Sequence, residues 1–274
     1  MIPVIHTLNI VLPILYLVTF LTYVYDFVED KSLFRNAKRL FLFITILIQV
    51  FYLFARTIEF NHPPITNKFE IFTVLAFSLA CCYFVLELIT DIRGTGIFIL
   101  FLSLVFQIIS TIFIQDLVSV PEVLRNRMLG MHVISALLGY SGITISAVQS
   151  LLYLMLYHSL KTKKYGLIFN RLPNIEILEK LSFNSMIIGF ILLTISIFIG
   201  IVWLPEAFPN FSYYDPKLIT TALIWVLYSI GILLKLTSNL YGRKFVNFSI
   251  AGFIIALFSL ILGNVLSSSF HTFY

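Results

Sequence analysis

Charge is what this sequence has least of. Asp, Glu, Lys and Arg make up 11% of its 274 residues, against roughly 25% in a soluble domain. Hydrophobic residues make up 59%. A water-soluble fold built from such a chain would have too little polar surface to cover its apolar interior, so a lipid bilayer is the natural solvent. Cysteine is nearly absent as well. Cys81 and Cys82 sit side by side in an apolar run and act as small hydrophobes. Without a C-x-x-C pair, thiol redox chemistry is excluded. The sequence also lacks a nucleophile elbow, an H-E-x-x-H pair and a phosphate-binding loop, so the expectation is a protein that is not an enzyme. The first residues lack the basic start of a cleavable signal peptide, so the first apolar segment is expected to be retained.

What is present is a series of apolar runs about 20 residues long. They do not alternate with period two, which selects helices over a transmembrane barrel. The runs fall at 7–25, 40–58, 70–89, 96–115, 129–157, 183–204, 218–234 and 245–267. The fifth is longer than a bilayer requires and should tilt or project into water. The fold class is therefore an all-α integral membrane protein, a bundle of about eight transmembrane helices forming one domain over 1–274.

Basic residues set the orientation. The segments after runs one, three, five and seven hold Lys31, Arg35, Lys38, Arg39, Arg93, Lys161, Lys163, Lys164, Arg171, Lys180, Lys235, Arg243 and Lys244. The opposite side holds Arg56, Lys68, Arg125, Arg127 and Lys217. The positive-inside rule then places both termini outside. The net charge of +5 follows from these inner segments, so nucleic acid is not an expected partner; the bilayer is. The longest inner segment, 158–182, starts with a basic Lys161-Thr-Lys-Lys stretch. Pro173 suits a first helical turn, and Ile175, Leu178 and Leu181 share a face. This reads as a short interfacial helix on anionic lipid, or else as a docking surface for a cytosolic partner.

Of the five histidines, two stand out. His6 lies at the outer end of the first run, His62 in the outer Asn61-His-Pro-Pro turn, and His158 at the inner end of the fifth run. His132, in Leu129-Gly-Met-His, and His271, in Ser269-Phe-His-Thr-Phe-Tyr, both fall on the outer side. The aromatic segment 205–217 lies there too. Two facing imidazoles beneath an aromatic loop are one way to ligate haem iron from both sides. The plainer alternative is that each caps a helix or snorkels to headgroups. Small residues recur at helical spacing in the same runs: Ser135, Gly139 and Gly142, then Gly252, Ala256, Ser259, Gly263 and Ser267. They let helices approach closely; room for a flat macrocycle is the alternative. Glu70 and Glu87 lie near the ends of the third run and are expected to face the membrane interfaces. No internal repeat is evident and charges within the runs are few. A small-molecule transporter, a class that often carries inverted repeats, is therefore a further alternative only.

Four stretches together resemble the cytochrome c assembly family of haem-handling membrane proteins, the CcsA, ResC and CcmC type. They are Pro64-Ile-Thr-Asn-Lys-Phe-Glu70; Leu129-Gly-Met-His132 with Gly139-Tyr-Ser-Gly; Arg171-Leu-Pro173 with Gly189-Phe and Gly200-Ile-Val-Trp203; and Tyr214-Asp-Pro-Lys217 with Trp225, Tyr228 and His271-Thr-Phe-Tyr274. The resemblance implies residence in a bacterial cytoplasmic membrane. It also implies haem as a cofactor, with His132 and His271 as iron ligands and Tyr214, Asp215 and Trp225 at the binding loop. The family loop reads close to W-G-x-x-W-x-W-D-P-K-E. Here Phe208, Ser212 and Tyr214 replace its tryptophans and Leu218 its glutamate. Leu233 stands where cytochrome c synthases tend to carry a histidine in the seventh span. Within the family, the pattern resembles most a branch encoded with haem-biosynthesis enzymes. That implies a non-enzymatic role lowering the level of glutamyl-tRNA reductase, with segment 158–182 as the contact. The alternative is a haem-handling and delivery subunit for cytochrome c assembly.

Overall fold

A computed structural model describes residues 1–29, 34–92, 94–117, 120–207, 214–237 and 240–265. At 34, 35, 206, 207, 216, 217 and 260–265 only the backbone is described. The described chain is helical: α1 (Ile2–Glu29), α2 (Phe34–Phe60), α3 (Lys68–Thr90), α4 (Gly96–Phe113), α5 (Arg127–Lys161), α6 (Leu167–Arg171), α7 (Ile175–Ala207), α8 (Pro216–Thr237) and α9 (Arg243–Val265). A single 3₁₀ turn at Glu122–Arg125 precedes α5. Among the described residues seven helices are long and apolar enough to cross a membrane. The eighth expected run coincides with α9, whose last turns are described by backbone alone. The fifth span is long as expected, at 35 residues. The protein is an all-α, multi-pass membrane protein.

The helices group into two compact units. One comprises residues 1–130 with 170–172, the other 131–169 with 173–265.

In the first unit, polar side chains turn inward. The start of α3 shows why. Asn67 caps the helix, its side-chain oxygen accepting from the backbone N–H of Phe69 and Glu70 at 3.0 and 2.8 Å. Glu70 reaches back to the Thr66 N–H and hydroxyl at 2.8 and 2.6 Å. The Thr-Asn-Lys-Phe-Glu motif is thus a reciprocal cap that satisfies backbone donors lipid cannot. Another device sits in α1. Pro13 has no N–H to offer the carbonyl of Asn9 one turn earlier. The Thr111 hydroxyl of α4 donates to that carbonyl instead, at 3.1 Å.

In the second unit, α7 differs from expectation. Residues 175–182 do not form a separate interfacial helix; they are the first turns of the sixth span. Asn174 is the cap, its side chain accepting from the Ile177 N–H at 2.8 Å, and Pro173 lies just before the helix. No helix breaker follows until Pro205, so the apolar pattern runs on unbroken. Leu178 and Leu181 are buried in the protein. The inner segment therefore shortens from 158–182 to the stretch between Lys161 and Ile175, containing only the five-residue α6.

The second unit packs through small residues. A Cβ on Gly142 would lie 2.7 Å from the Cα of Gly189, so the backbones of α5 and α7 nearly touch there. Hydroxyls then stitch neighbouring helices: Ser146 meets Ser182 at 3.0 Å and Ser249 at 2.9 Å, and Ser150 meets Ser182 at 2.8 Å. Near the basic end, the Lys235 ammonium pairs with Glu179 and lies 3.9 Å from the centre of the Tyr241 ring and 4.8 Å from that of Phe245.

Candidate functional site

His132 lies in the second turn of α5 and faces α7. Its Nδ1 is 2.8 Å from the backbone carbonyl of Ser196 and 3.2 Å from the Ser196 hydroxyl. That hydroxyl donates to the His132 carbonyl at 2.8 Å. One turn along α7, a Cβ added to Gly200 would meet the ring at Cε1, 2.9 Å away, and at Nδ1, 3.1 Å away. The imidazole is therefore seated in a slot formed by a serine and a glycine four residues apart. Gly200 entered the sequence reading only as part of the Gly200-Ile-Val-Trp203 stretch, and Ser196 did not enter it. The available signal was the Ser196/Gly200 pair at helical spacing, which puts two small residues on one face.

The other expected site residues are distributed as follows. Trp225 on α8 donates from its indole N–H to the Thr194 hydroxyl at 2.9 Å and stacks on Phe190, ring centres 5.5 Å apart. Thr194 and Ser196 are two residues apart, about 200° around the helix. Trp225 and His132 thus attach to opposite faces of α7. Asp215 is buried, and its carbonyl accepts the Ile219 N–H at 3.1 Å, opening α8. Tyr214 is 87% exposed. Leu233 points outward, 59% exposed. His271 lies outside the described residues, as do Phe208 and Ser212 of the aromatic loop. Among the described residues no group of three or more His, Cys, Asp or Glu is arranged to hold a metal ion.

The first unit buries two ionic clusters, and here the expectation for Glu70 and Glu87 is corrected. Neither faces an interface; both are buried within the protein. At one end of α3, Glu70 pairs with Arg56 at 2.8 Å, and Arg56 also binds Asp116 at 2.8 Å. At the other end, Glu87 accepts the Tyr23 hydroxyl at 2.5 Å and lies 3.5 Å from both Lys38 and Arg39. Lys38 in turn binds Asp26 at 2.5 Å. Position within the run misled the reading: carboxylates near a span's ends can reach an interface, but these have cationic partners on α2.

Amides and hydroxyls join α1 to α4 between the clusters. The Gln49 amide donates to the Gln107 side-chain oxygen at 3.0 Å and to the Thr73 carbonyl at 2.9 Å, while its own oxygen accepts the Tyr16 hydroxyl. Gln107 also accepts from Thr73 at 2.9 Å. His62 is buried, with its ring nitrogens 3.1 Å from the Pro63 carbonyl and 2.9 Å from the Leu117 carbonyl. His6 approaches Asp116 at 3.3 Å. Both histidines are held by the first unit's own groups.

Fold and site together define a multi-pass helical membrane protein that seats one imidazole in a small-residue slot between two spans. The profile of the cytochrome C assembly protein family matches residues 7–271, so the chain belongs to that family, which is associated with haem handling. The chain is similar to the cytochrome c biogenesis protein CcsA of Guillardia theta, at 26% identity over 80% of this chain and 79% of that one. It is also similar to Protein HemX of Bacillus subtilis (strain 168), at 28% identity over 55% and 54% of the two chains. Protein HemX of Brevibacillus brevis is 23% identical over 79% and 80%.

Proposed function

We propose that this protein holds haem at the outer face of a bacterial cytoplasmic membrane, with His132 and His271 as the residues that would hold its iron. The observation that carries the reading is the seating of His132. A ligating histidine characteristically donates its second ring N–H to a fixed oxygen, which orients the ring and raises its basicity. The Ser196 carbonyl is such an oxygen, 2.8 Å from Nδ1. Bound haem would supply an iron centre whose properties are set by its axial ligands and the polarity around them. Asp215 opens α8 beside the aromatic segment and would fix that segment's end; Tyr214 and Trp225 are the aromatic residues offered nearby. The test is an absorption spectrum of the detergent-purified full chain titrated with haemin. The expected result is a Soret band that weakens in His132→Ala and in His271→Ala; a spectrum identical in all three chains would remove the site.

The use of that haem is regulatory in this reading. The protein would act without catalysis, lowering the level of glutamyl-tRNA reductase through the inner segment that follows α5. Support comes from the loop sequence, where Phe208, Ser212 and Tyr214 replace the three tryptophans of the family pattern. The outward-facing Leu233 adds to it, in place of an inner histidine. Both weaken the alternative of haem delivery to an apocytochrome. A ligand shifts a protein only by its differential affinity for two packings. Reductase level should therefore rise in cells carrying His132→Ala, and an unchanged level would separate haem from regulation. Restored covalent haem attachment in a strain lacking its own cytochrome c synthase would favour delivery instead.

A further inference from the structure

We propose that the first unit carries protons across the membrane along a polar spine enclosed by α1, α2, α3 and α4, an activity independent of haem. All four helices are long and apolar enough to span a bilayer, yet each turns a polar stripe inward. On α1 the stripe is Asn9, Tyr16, Thr19, Tyr23 and Asp26, at helical spacing. Each member has a partner at its own level. Asp26 binds Lys38, Tyr23 donates to Glu87, Thr19 meets Thr45 at 2.8 Å, and Tyr16 donates to Gln49. Beyond Tyr16, Gln107 donates to the Thr111 hydroxyl at 3.2 Å, and Thr111 donates to the Asn9 carbonyl. The Tyr52 hydroxyl reaches the Asn9 side chain at 3.4 Å, and Arg56, with Glu70 and Asp116, follows one turn along α2. From the Lys38 end to the Arg56 end, successive polar groups are about one helical turn apart, roughly 5–6 Å, or less.

Helix adhesion alone does not require such continuity. A hydroxyl both donates and accepts, so it can take up a proton and release its own; a side-chain amide cannot relay one in this way. Gln49 and Gln107 would therefore interrupt a path made of protein groups only. On α4, Ser103 and Ser110 flank Gln107 one turn to either side. Both are fully buried, and their hydroxyls have no hydrogen-bond partner among the described residues. Phe20 packs on Phe101, ring centres 5.9 Å apart, which sets Ser103 at the level of Tyr16 and Thr19. Thr57, by contrast, returns its hydroxyl to the Leu53 carbonyl. A buried hydroxyl left unpaired is a seat for water, and water there would carry the path past the amides. At the Lys38 end, a cavity of about 10 Å³ is lined by Tyr23, Asp26, Lys38, Gly94 and Gly96, room for one more water. The carboxylates of Asp26, Glu70, Glu87, Asp91 and Asp116 outnumber the cations of Lys38, Arg39 and Arg56 paired with them. The spine thus favours an added positive charge, and ionisable groups within spans mark proton relays. A proton from water enters on the Glu87 carboxylate. Each hydroxyl or water gains one proton and passes its own on, and one proton leaves from Asp116 to water. Only O–H bonds form and break, and the membrane potential sets the direction.

The test is proton entry into lipid vesicles holding the full chain, driven by an inside-negative potassium diffusion potential and read by an entrapped pH dye. Wild-type vesicles should acidify faster than protein-free ones, and Glu87→Gln should lose that excess. Thr19→Val keeps the side chain's shape and removes its hydroxyl, while Thr45 keeps its bond to the Phe41 carbonyl at 2.9 Å. It should slow acidification, and Thr19→Ser should retain the wild-type rate; this pair decides the matter if Glu87→Gln does not fold. Ser141→Ala in the second unit, whose hydroxyl returns to the Leu137 carbonyl, should leave the rate unchanged. Wild-type acidification no faster than that of protein-free vesicles overturns the proposal. So does a wild-type rate in Glu87→Gln or in Thr19→Val. An equal loss in Ser141→Ala marks a packing defect and overturns it too, as does sodium entry as fast as proton entry, which marks an open pore.

Discussion

The two units solve the same problem, how helices recognise one another in lipid, with opposite chemistry. The first is held by charge and amides: Arg56 with Glu70 and Asp116, Lys38 with Asp26 and Glu87, and Gln49 with Gln107. The second is held by closeness, with Gly142 against Gly189 and a ladder of serine hydroxyls. Hydrocarbon offers no hydrophobic drive for helix association, so packing and hydrogen bonds must supply it. A buried ion pair fixes partners strongly but punishes any mismatch. Small-residue contact is weaker per bond and leaves room for adjustment. The candidate ligand His132 lies in the second kind of unit.

The largest effect should come from breaking a charge cluster on one side only. Glu70→Ala should destabilise the first unit by roughly 3–5 kcal/mol, because buried Arg56 loses its buried partner and keeps only the more exposed Asp116, while the Thr66 N–H and hydroxyl lose their acceptor. Thermal unfolding in detergent measures this, and the double variant Arg56→Met with Glu70→Leu should recover much of the loss. Next is Gly142→Leu, which drives a side chain into the α7 backbone and should cost about 1–3 kcal/mol or more by overpacking. Its unfolding midpoint should fall although the Arg56–Glu70 cluster is intact. Gln107→Leu comes third. It removes the acceptor of one Gln49 amide N–H and of the Thr73 hydroxyl, for roughly 1–3 kcal/mol. The smallest change should be Ser146→Ala, since hydrogen bonds between membrane helices average about 0.6 kcal/mol. A Ser146→Ala loss as large as that of Glu70→Ala would erase the contrast between the units.

Much of the fold was legible because the bilayer imposes so few solutions. Run length and hydropathy located the spans, and the long α5 was visible as an overlong run. The boundary between Lys161 and Ile175 was harder. Pro173 looked like a helix opening, whereas Asn174 holds that place with its side chain, a distinction that depends on geometry one residue wide. Glu70 was legible as part of a motif but not as buried, because its partner Arg56 is distant in sequence and lies on another helix. For the site, His132 was visible as a polar group near a span's end. Ser196 was not, and Gly200 was visible only as part of a motif, because small residues in membrane helices ordinarily signal packing, and only the facing imidazole shows what they accommodate. Trp225 belonged to the expected loop group by pattern, yet it meets α7 from the face opposite His132, a consequence of helical phase.

The near-contact of Gly142 with Gly189 makes α5 a lever on a fulcrum. His132 lies ten residues to one side of that point and Lys161 nineteen to the other, about 15 Å and 28 Å along the axis. With the backbones in touch, the helices cannot come closer at that point, and any tilting of α5 against α7 would pivot there. A small tilt displacing the histidine would then move the Lys161 end nearly twice as far and in the opposite sense. Such a pivot would couple the two ends of α5 without any side chain having to run the length of the helix.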